Sequence, residues 1–220
     1  MGSTPGYVWT TAIVGAVLAL PLWRITQHAI TLVHEGGHAL IGLMFGGVFG
    51  KGKIELNRGG GGSTHIEVHG LGDVLSDLAG YLGPSVVGYA GAQMLVHDFE
   101  PRSVLMISLA FSIFVLVLVR NAFGLLVAGA TVVLLWTAVT RAEPAAQRGI
   151  AYVWVWFVLM GSTRTIPALI YATARQEGKT DAEHLQQSTH ISDVLWLLVF
   201  WLGTLAALVF GGALMLRHAA

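Results

Sequence analysis

Seven apolar runs follow one another along this chain: Tyr7 to Trp23, Ile25 to Gly47, Leu71 to Val96, Val104 to Val119, Ala122 to Val139, Gly149 to Ala172 and Ile191 to Leu216. Each approaches or exceeds the length a helix needs to cross a bilayer, where a backbone can satisfy its own polar groups only as a helix or a closed barrel. Hydrophobic residues fill 55% of the 220 positions, charged residues only 11%, and the mean hydropathy is +0.70, which excludes an ordinary soluble domain. The sequence therefore predicts an all-α polytopic membrane protein with six or seven transmembrane helices, as one integral membrane domain over residues 1–220. The count depends on the first two runs. Together they far exceed a hydrocarbon core of roughly 30 Å at 1.5 Å per residue, so the chain is expected to turn or kink near Pro21.

The connections carry their own signals. Between Gly46 and Gly70 the run Lys51 to Asn57, the tract Arg58-Gly-Gly-Gly-Gly-Ser63 and the run Thr64 to His69 read as two short alternating strands joined by a glycine-rich turn. This predicts a short β-hairpin, pairing Lys53 to Val68, between the second and third apolar runs; a flexible loop is the simpler alternative. His65 and His69 read as surface residues of that segment. Only Arg120-Asn121 separates the fourth and fifth runs, which makes them an antiparallel pair with Arg120 as an interfacial anchor, and leaves Asn121 a candidate donor near a polar site. Thr180 or Asp181 caps a helix start whose periodicity continues into the last span.

Charge and cysteine content narrow the function classes. Twelve basic residues balance twelve acidic ones, so there is no electrostatic footprint for nucleic acid and no such partner is expected. Basic residues divide almost evenly between the two faces, so orientation is not read from them. Cysteine is absent, which excludes thiolate ligands and leaves His and carboxylates as the strong ligands for zinc. Met1 to Thr10 contains no Lys or Arg, so the first apolar run is expected to stay as an anchor rather than be cleaved.

One stretch inside the second run carries chemistry: His34-Glu35-Gly36-Gly37-His38. Residues four apart share a helix face, so both imidazoles can hold one ion, while Glu35 lies one step round and can reach a water beside the metal. With nine His and seven Glu in the chain, chance supplies about 0.01 such motifs. Imidazoles in an apolar span are also costly unless they bind something. Gly36 and Gly37 stand where Ala or Leu would favour the helix by up to about 1 kcal/mol each, so either another helix or a substrate backbone comes close there. A tetrahedral catalytic zinc needs one further protein ligand. The late part of the chain offers Asp181, Glu183, His184, His190 and Asp193. Asp193 lies deeper in the apolar part of the last helix; Asp181 precedes it and competes for a role as a helix cap.

With these residues in view, the chain resembles the site-2-protease-like intramembrane zinc metallopeptidases, in particular their compact branch. The matching stretches are His34 to Leu40, Asn57-Arg-Gly-Gly-Gly-Gly-Ser63, Ala79-Gly-Tyr-Leu-Gly-Pro84, Arg120-Asn-Ala-Phe-Gly124 and Thr180-Asp181-Ala182, spread along most of the chain. The resemblance implies a Zn²⁺ cofactor held by His34, His38 and a carboxylate, with Glu35 as the catalytic general base. It favours Asp181 as third ligand through the match to Ser/Thr-Asp-Ala, with His184 one turn on as its outer partner. The better-known members carry an Asn-x-x-Pro-x-Pro-x-Leu-Asp-Gly motif late in the chain, and nothing here corresponds to it. No loop is long enough for an inserted PDZ-like domain. The implied activity is hydrolysis of a peptide bond in a membrane-anchored protein substrate at or within the bilayer, in the cell membrane, with the hairpin edge holding the substrate in extended form.

Two other readings use the same residues. A metal or proton carrier would use the buried histidines, but it needs ionisable groups along several spans, and Arg164 is the one good extra candidate. A catalytically inactive scaffold would not need Glu35.

Overall fold

The computed structural model describes residues 4–47, 53–66, 68–97, 99–175 and 180–218. Lys51, Gly52 and Glu67 of the expected strands lie outside these residues. The elements are α1 (Pro5–Ala19), α2 (Trp23–Met44), β1 (Lys53–Leu56), β2 (Gly62–His65), α3 (Leu71–Val96), α4 (Pro101–Leu118), α5 (Ala122–Arg141), α6 (Pro144–Arg175), α7 (Asp181–Thr189) and α8 (Asp193–His218). The architecture is that of an all-α polytopic membrane protein with one small antiparallel hairpin.

Four helices, α4, α5, α6 and α8, are long and apolar enough to cross a membrane, and a fifth span results if α1 and α2 are counted as one bent pair. The sequence reading of six or seven counts α1, α2 or both, and also α3. That last helix carries Asp73, Ser76 and Asp77 in its first two turns and packs inside the bundle against α2, α6 and α8. The expected break at Pro21 is real: α1 and α2 meet at 96°. A proline ring removes a backbone donor and clashes with the preceding turn.

Small residues set how closely the helices approach. A Cβ at Gly15 would stand 2.7 Å from Trp156, one at Gly88 2.8 Å from Leu159, and one at Gly91 2.7 Å from Val155. Thus α1 and α3 both lie tightly on α6, as small residues permit in lipid. The largest buried cluster, including Val8, Leu105, Leu135, Tyr152, Trp156 and Met215, ties α1, α4, α5, α6 and α8 together.

The hairpin forms, in register Lys53 with His65 through Leu56 with Gly62, but it is shorter than the sequence predicts. Ile66 leaves the ladder to pack over Gly42 and Gly47, and Val68 packs over Gly72. Asn121 does not reach the polar site. Its Oδ1 caps α5 at the Gly124 N–H (3.2 Å) and accepts the Leu56 N–H (3.1 Å), while its Nδ2 donates to the Leu56 carbonyl (2.6 Å). Together with the Arg120 N–H on the Ile54 carbonyl (3.0 Å), this occupies the outer edge of β1. Strand pairing alternates, so the main-chain groups of Gly62 and Thr64, opposite Leu56 and Ile54, face outward along β2.

The last polar segment also departs from expectation. Helical periodicity does not run on into the final span, because His190 adopts a left-handed conformation (φ 59°) that separates α7 from α8.

Candidate metal centre

Three chain-distant elements converge on one point. From α2, His34 and His38 project side by side, with their Nε2 atoms 3.3 Å apart. From the first position of α7, Asp181 Oδ2 lies 3.1 Å from His38 Nε2 and 3.6 Å from His34 Nε2. Tetrahedral zinc with ligands at 2.0–2.1 Å sets its ligand atoms about 3.3 Å apart, so this triangle has the dimensions of a zinc site. The donor set of two imidazoles and a carboxylate is also one that zinc takes. Asp181 Oδ2 is buried, and no donor is aligned to hydrogen-bond it.

The third side of that point is backbone. A Cβ added at Gly80 of α3 would run into His38 Nε2 and stand 2.9 Å from Asp181 Oδ2. Gly80 thus leaves open the space on which the three donors converge. We expect Gly80→Ala to reduce bound zinc to background by elemental analysis while helical circular dichroism persists. Full zinc occupancy in that variant would remove Gly80 from the wall of the site.

Gly36 and Gly37 are explained by helix packing. A Cβ at Gly36 would strike Phe111 and Val115 of α4, and one at Gly37 would strike the Ala79 carbonyl of α3. The metal helix is therefore clamped on two sides.

The position of Asp181 follows from its cap. Thr180, not Asp181, is the N-cap of α7: its hydroxyl accepts the Glu183 N–H (3.4 Å), and the Glu183 carboxylate accepts the Thr180 N–H (2.7 Å), a full capping box. Relieved of capping, the Asp181 carboxylate points to the imidazoles, while Ala182 and Leu185 anchor α7 beside Ile166, Leu169 and Phe200. Burial pushes the Asp181 carboxyl up, but His38 and His34, with His184 further off, outweigh it and hold the group below the ordinary carboxylate range. A cation bound there acts in the same direction. The other sequence candidates lie elsewhere. Glu183 serves the cap and His184 and His190 are exposed. Asp193 opens α8, where its Oδ1 accepts the Val194 N–H (2.7 Å) and the Ser192 hydroxyl (3.2 Å). His65 and His69 are exposed, as expected of surface residues.

Glu35 is buried, 3% exposed, with Oε1 3.9 Å from His34 Nε2. Its other oxygen accepts the Thr64 hydroxyl of β2 at 2.7 Å, and the same hydroxyl lies 3.1 Å from the Glu35 carbonyl. No local pattern of residues marks this contact. The hairpin, expected to hold substrate, thus also holds through β2 a buried carboxylate beside the imidazoles that is not part of the triangle. Ser76 of α3 is likewise unmarked by any local pattern: its hydroxyl lies 3.3 Å from His38 Nδ1 and 3.3 Å from the His38 carbonyl, which turns Nε2 toward the triangle. Tyr81, inside the Ala79 to Pro84 stretch, sets its ring edge-to-face on His34 (4.7 Å between centroids) and stacks on Phe200 (5.0 Å).

These groups open onto a cavity of about 390 Å³. Its walls are Gln27, Thr31, His34 and Glu35 of α2, the Gly59 to Gly62 turn, Tyr81 and Pro84 of α3, Thr165 and Leu169 of α6, and Asp181. The turn is fixed over the cavity by the Thr31 hydroxyl on the Gly60 carbonyl (2.6 Å), and Gly60 takes the positive φ of 97° that the turn requires.

An apolar helical bundle that brings two histidines and an aspartate to one point, beside a separate buried glutamate, is the ground plan of a membrane-embedded metallopeptidase. The Peptidase M50B-like family profile matches residues 7–211, and the chain belongs to that family. No curated protein and no solved structure matches the chain.

Proposed function

We propose that the protein is an intramembrane zinc metalloendopeptidase of the cell membrane that hydrolyses a peptide bond in a membrane-anchored protein substrate. His34, His38 and Asp181 hold Zn²⁺, and Glu35 is the general base. The observation that carries this reading is the 3.1–3.6 Å triangle of Nε2, Nε2 and Oδ2 with a separate carboxylate 3.9 Å from one corner. A zinc ion in that triangle supplies Lewis-acid polarisation of the scissile carbonyl and acidifies water.

The chain's own residues do the rest. Glu35 takes the proton of the attacking water through Oε1 and returns it to the leaving amine nitrogen, as the peptide C–N bond breaks and the new C–O bond forms. The Thr64 hydroxyl holds Oε2 and so fixes which oxygen turns to the substrate. The clamped glycines of α2 keep the imidazoles from yielding when substrate enters.

A substrate that is helical in the bilayer hides its carbonyls in its own hydrogen bonds and must be extended before attack. The outward main-chain groups of Gly62 and Thr64 offer it a strand to pair with, and β2 is the strand that touches Glu35. With β1 already held by Asn121 and Arg120, addition takes place on the β2 side.

Purified protein reconstituted with a single-span substrate tests the reading. Stripping the metal with a chelator should abolish cleavage, and adding Zn²⁺ back should restore it. Cleavage that persists after zinc is measured as absent would exclude the mechanism.

A further inference from the structure

A second opening, larger than the metal cavity, lies on the other side of α2. It is a slot of about 1080 Å³ between α5 on one side and α2 and α6 on the other. Helix α5 is fastened at both ends: Asn121 clasps Leu56 at its start, and the Gln147 amide donates to the Ala138 (3.2 Å) and Val139 (2.9 Å) carbonyls at its finish. Between those ends the slot runs along α5 from Phe123 to Ala142. Leu126 and Leu134 of α5 and Trp154 and Phe157 of α6 are among its walls.

The fixed charges on its lining are of one sign. Arg24 and His28 from α2 and Arg141 from α5 line the slot, and no Asp or Glu does so among the described residues. Arg24 and His28 are four apart on α2 and therefore neighbours on one helix face. His28 is only 9% exposed, packs edge-on to Phe123 at 5.0 Å, and its buried Nδ1 has no hydrogen-bond partner. An apolar slot whose fixed charges are arginines, with no acidic group on its walls among the described residues, suits a ligand that is anionic at one end and apolar along its length.

We propose that this slot is a binding site for an anionic glycerophospholipid, its phosphate against Arg24 and an acyl chain along the α5–α6 walls. The lipid lies behind the metal helix, not in the metal cavity. On α2, Trp23, Gln27, Thr31 and His34 line the cavity, while Arg24, Ile25 and His28 line the slot. One helix is thus the shared wall of both spaces. The site stands independently of the proteolytic reading.

Native mass spectrometry of the full chain, titrated with phosphatidylglycerol or with phosphatidylcholine of the same acyl composition, tests this. The anionic lipid should bind more tightly, and Arg24→Gln should weaken it by about fivefold while leaving the zwitterionic lipid unchanged. Ala130→Trp, which places an indole in the slot, should remove the tight binding of the anionic lipid, and both variants should keep their zinc. Inorganic phosphate alone should not compete, since the chain supplies much of the affinity. Equal binding of the two lipids by the unmodified protein would overturn the proposal, as would an undiminished preference in Arg24→Gln. Competition by inorganic phosphate would reduce the site to a bare anion contact and overturn the lipid assignment, and cross-linking of a substrate helix into a slot that takes no lipid would reassign it to peptide.

Discussion

Glu35→Gln is expected to reduce cleavage of a single-span substrate by at least about 10²–10⁴-fold, the usual contribution of a general base, with zinc content unchanged. The substitution is nearly isosteric. A glutamine at this position can still accept the Thr64 hydroxyl through its amide oxygen, so the link between β2 and α2 survives. What is lost is the second oxygen, the one 3.9 Å from His34 Nε2, which becomes an amide or turns away and cannot take a proton. Because Glu35 is outside the triangle of Nε2 and Oδ2 atoms, the metal should remain, which separates this variant from His34→Ala or His38→Ala. Zinc analysis and a cleavage assay on one preparation decide it. Near-normal cleavage with zinc bound would falsify the role of Glu35, and loss of zinc would make it a ligand instead.

The contrast between Glu35 and Thr64 marks where the sequence was readable. Spacing of four on a helix is a local fact, so His34, His38 and the flanking Glu35 could be placed on one apolar helix before any fold was known. The same holds for the turn at Pro21 and the short link at Arg120-Asn121, each set by nearest neighbours in the chain. Thr64 and Ser76 gave no such signal, because a hydroxyl on a strand or helix becomes informative only when another element stands against it. Asn121 stands out as an amide in an apolar chain, but its partner, the Leu56 backbone, is a strand edge that exists only after the hairpin has formed. Gly36 and Gly37 declared that something comes close without saying what; packing of α3 and α4 supplies the answer. The separation of α7 from α8 was hidden for a different reason. No Gly or Pro marks it, and His190 takes the left-handed conformation that most side chains avoid.

That break also governs the choice between the two late aspartates. If α7 and α8 formed one continuous helix, Asp181 and Asp193 would ride on a single rod, and the deeper residue would be the natural partner for histidines in the membrane. Instead His190 turns the chain, so α7 is a separate short helix whose first residue, Asp181, lines the cavity, and Asp193 becomes the first residue of a separate span. Asp193 is engaged there by the Val194 N–H and the Ser192 hydroxyl, and a carboxylate in a first turn also favours the helix dipole. Asp181→Ala should therefore lower zinc affinity by more than the roughly 10–100-fold that an outer partner of a ligand is worth, measured by competition with a chromogenic chelator. It should leave two imidazoles that still bind weakly, so partial recovery of occupancy at high free zinc is expected. Asp193→Ala should keep zinc affinity within error and cost about 1 kcal/mol or less of stability. If zinc is instead held normally without Asp181 and lost without Asp193, α7 does not carry the third ligand, and the metal centre must be rebuilt around the start of α8.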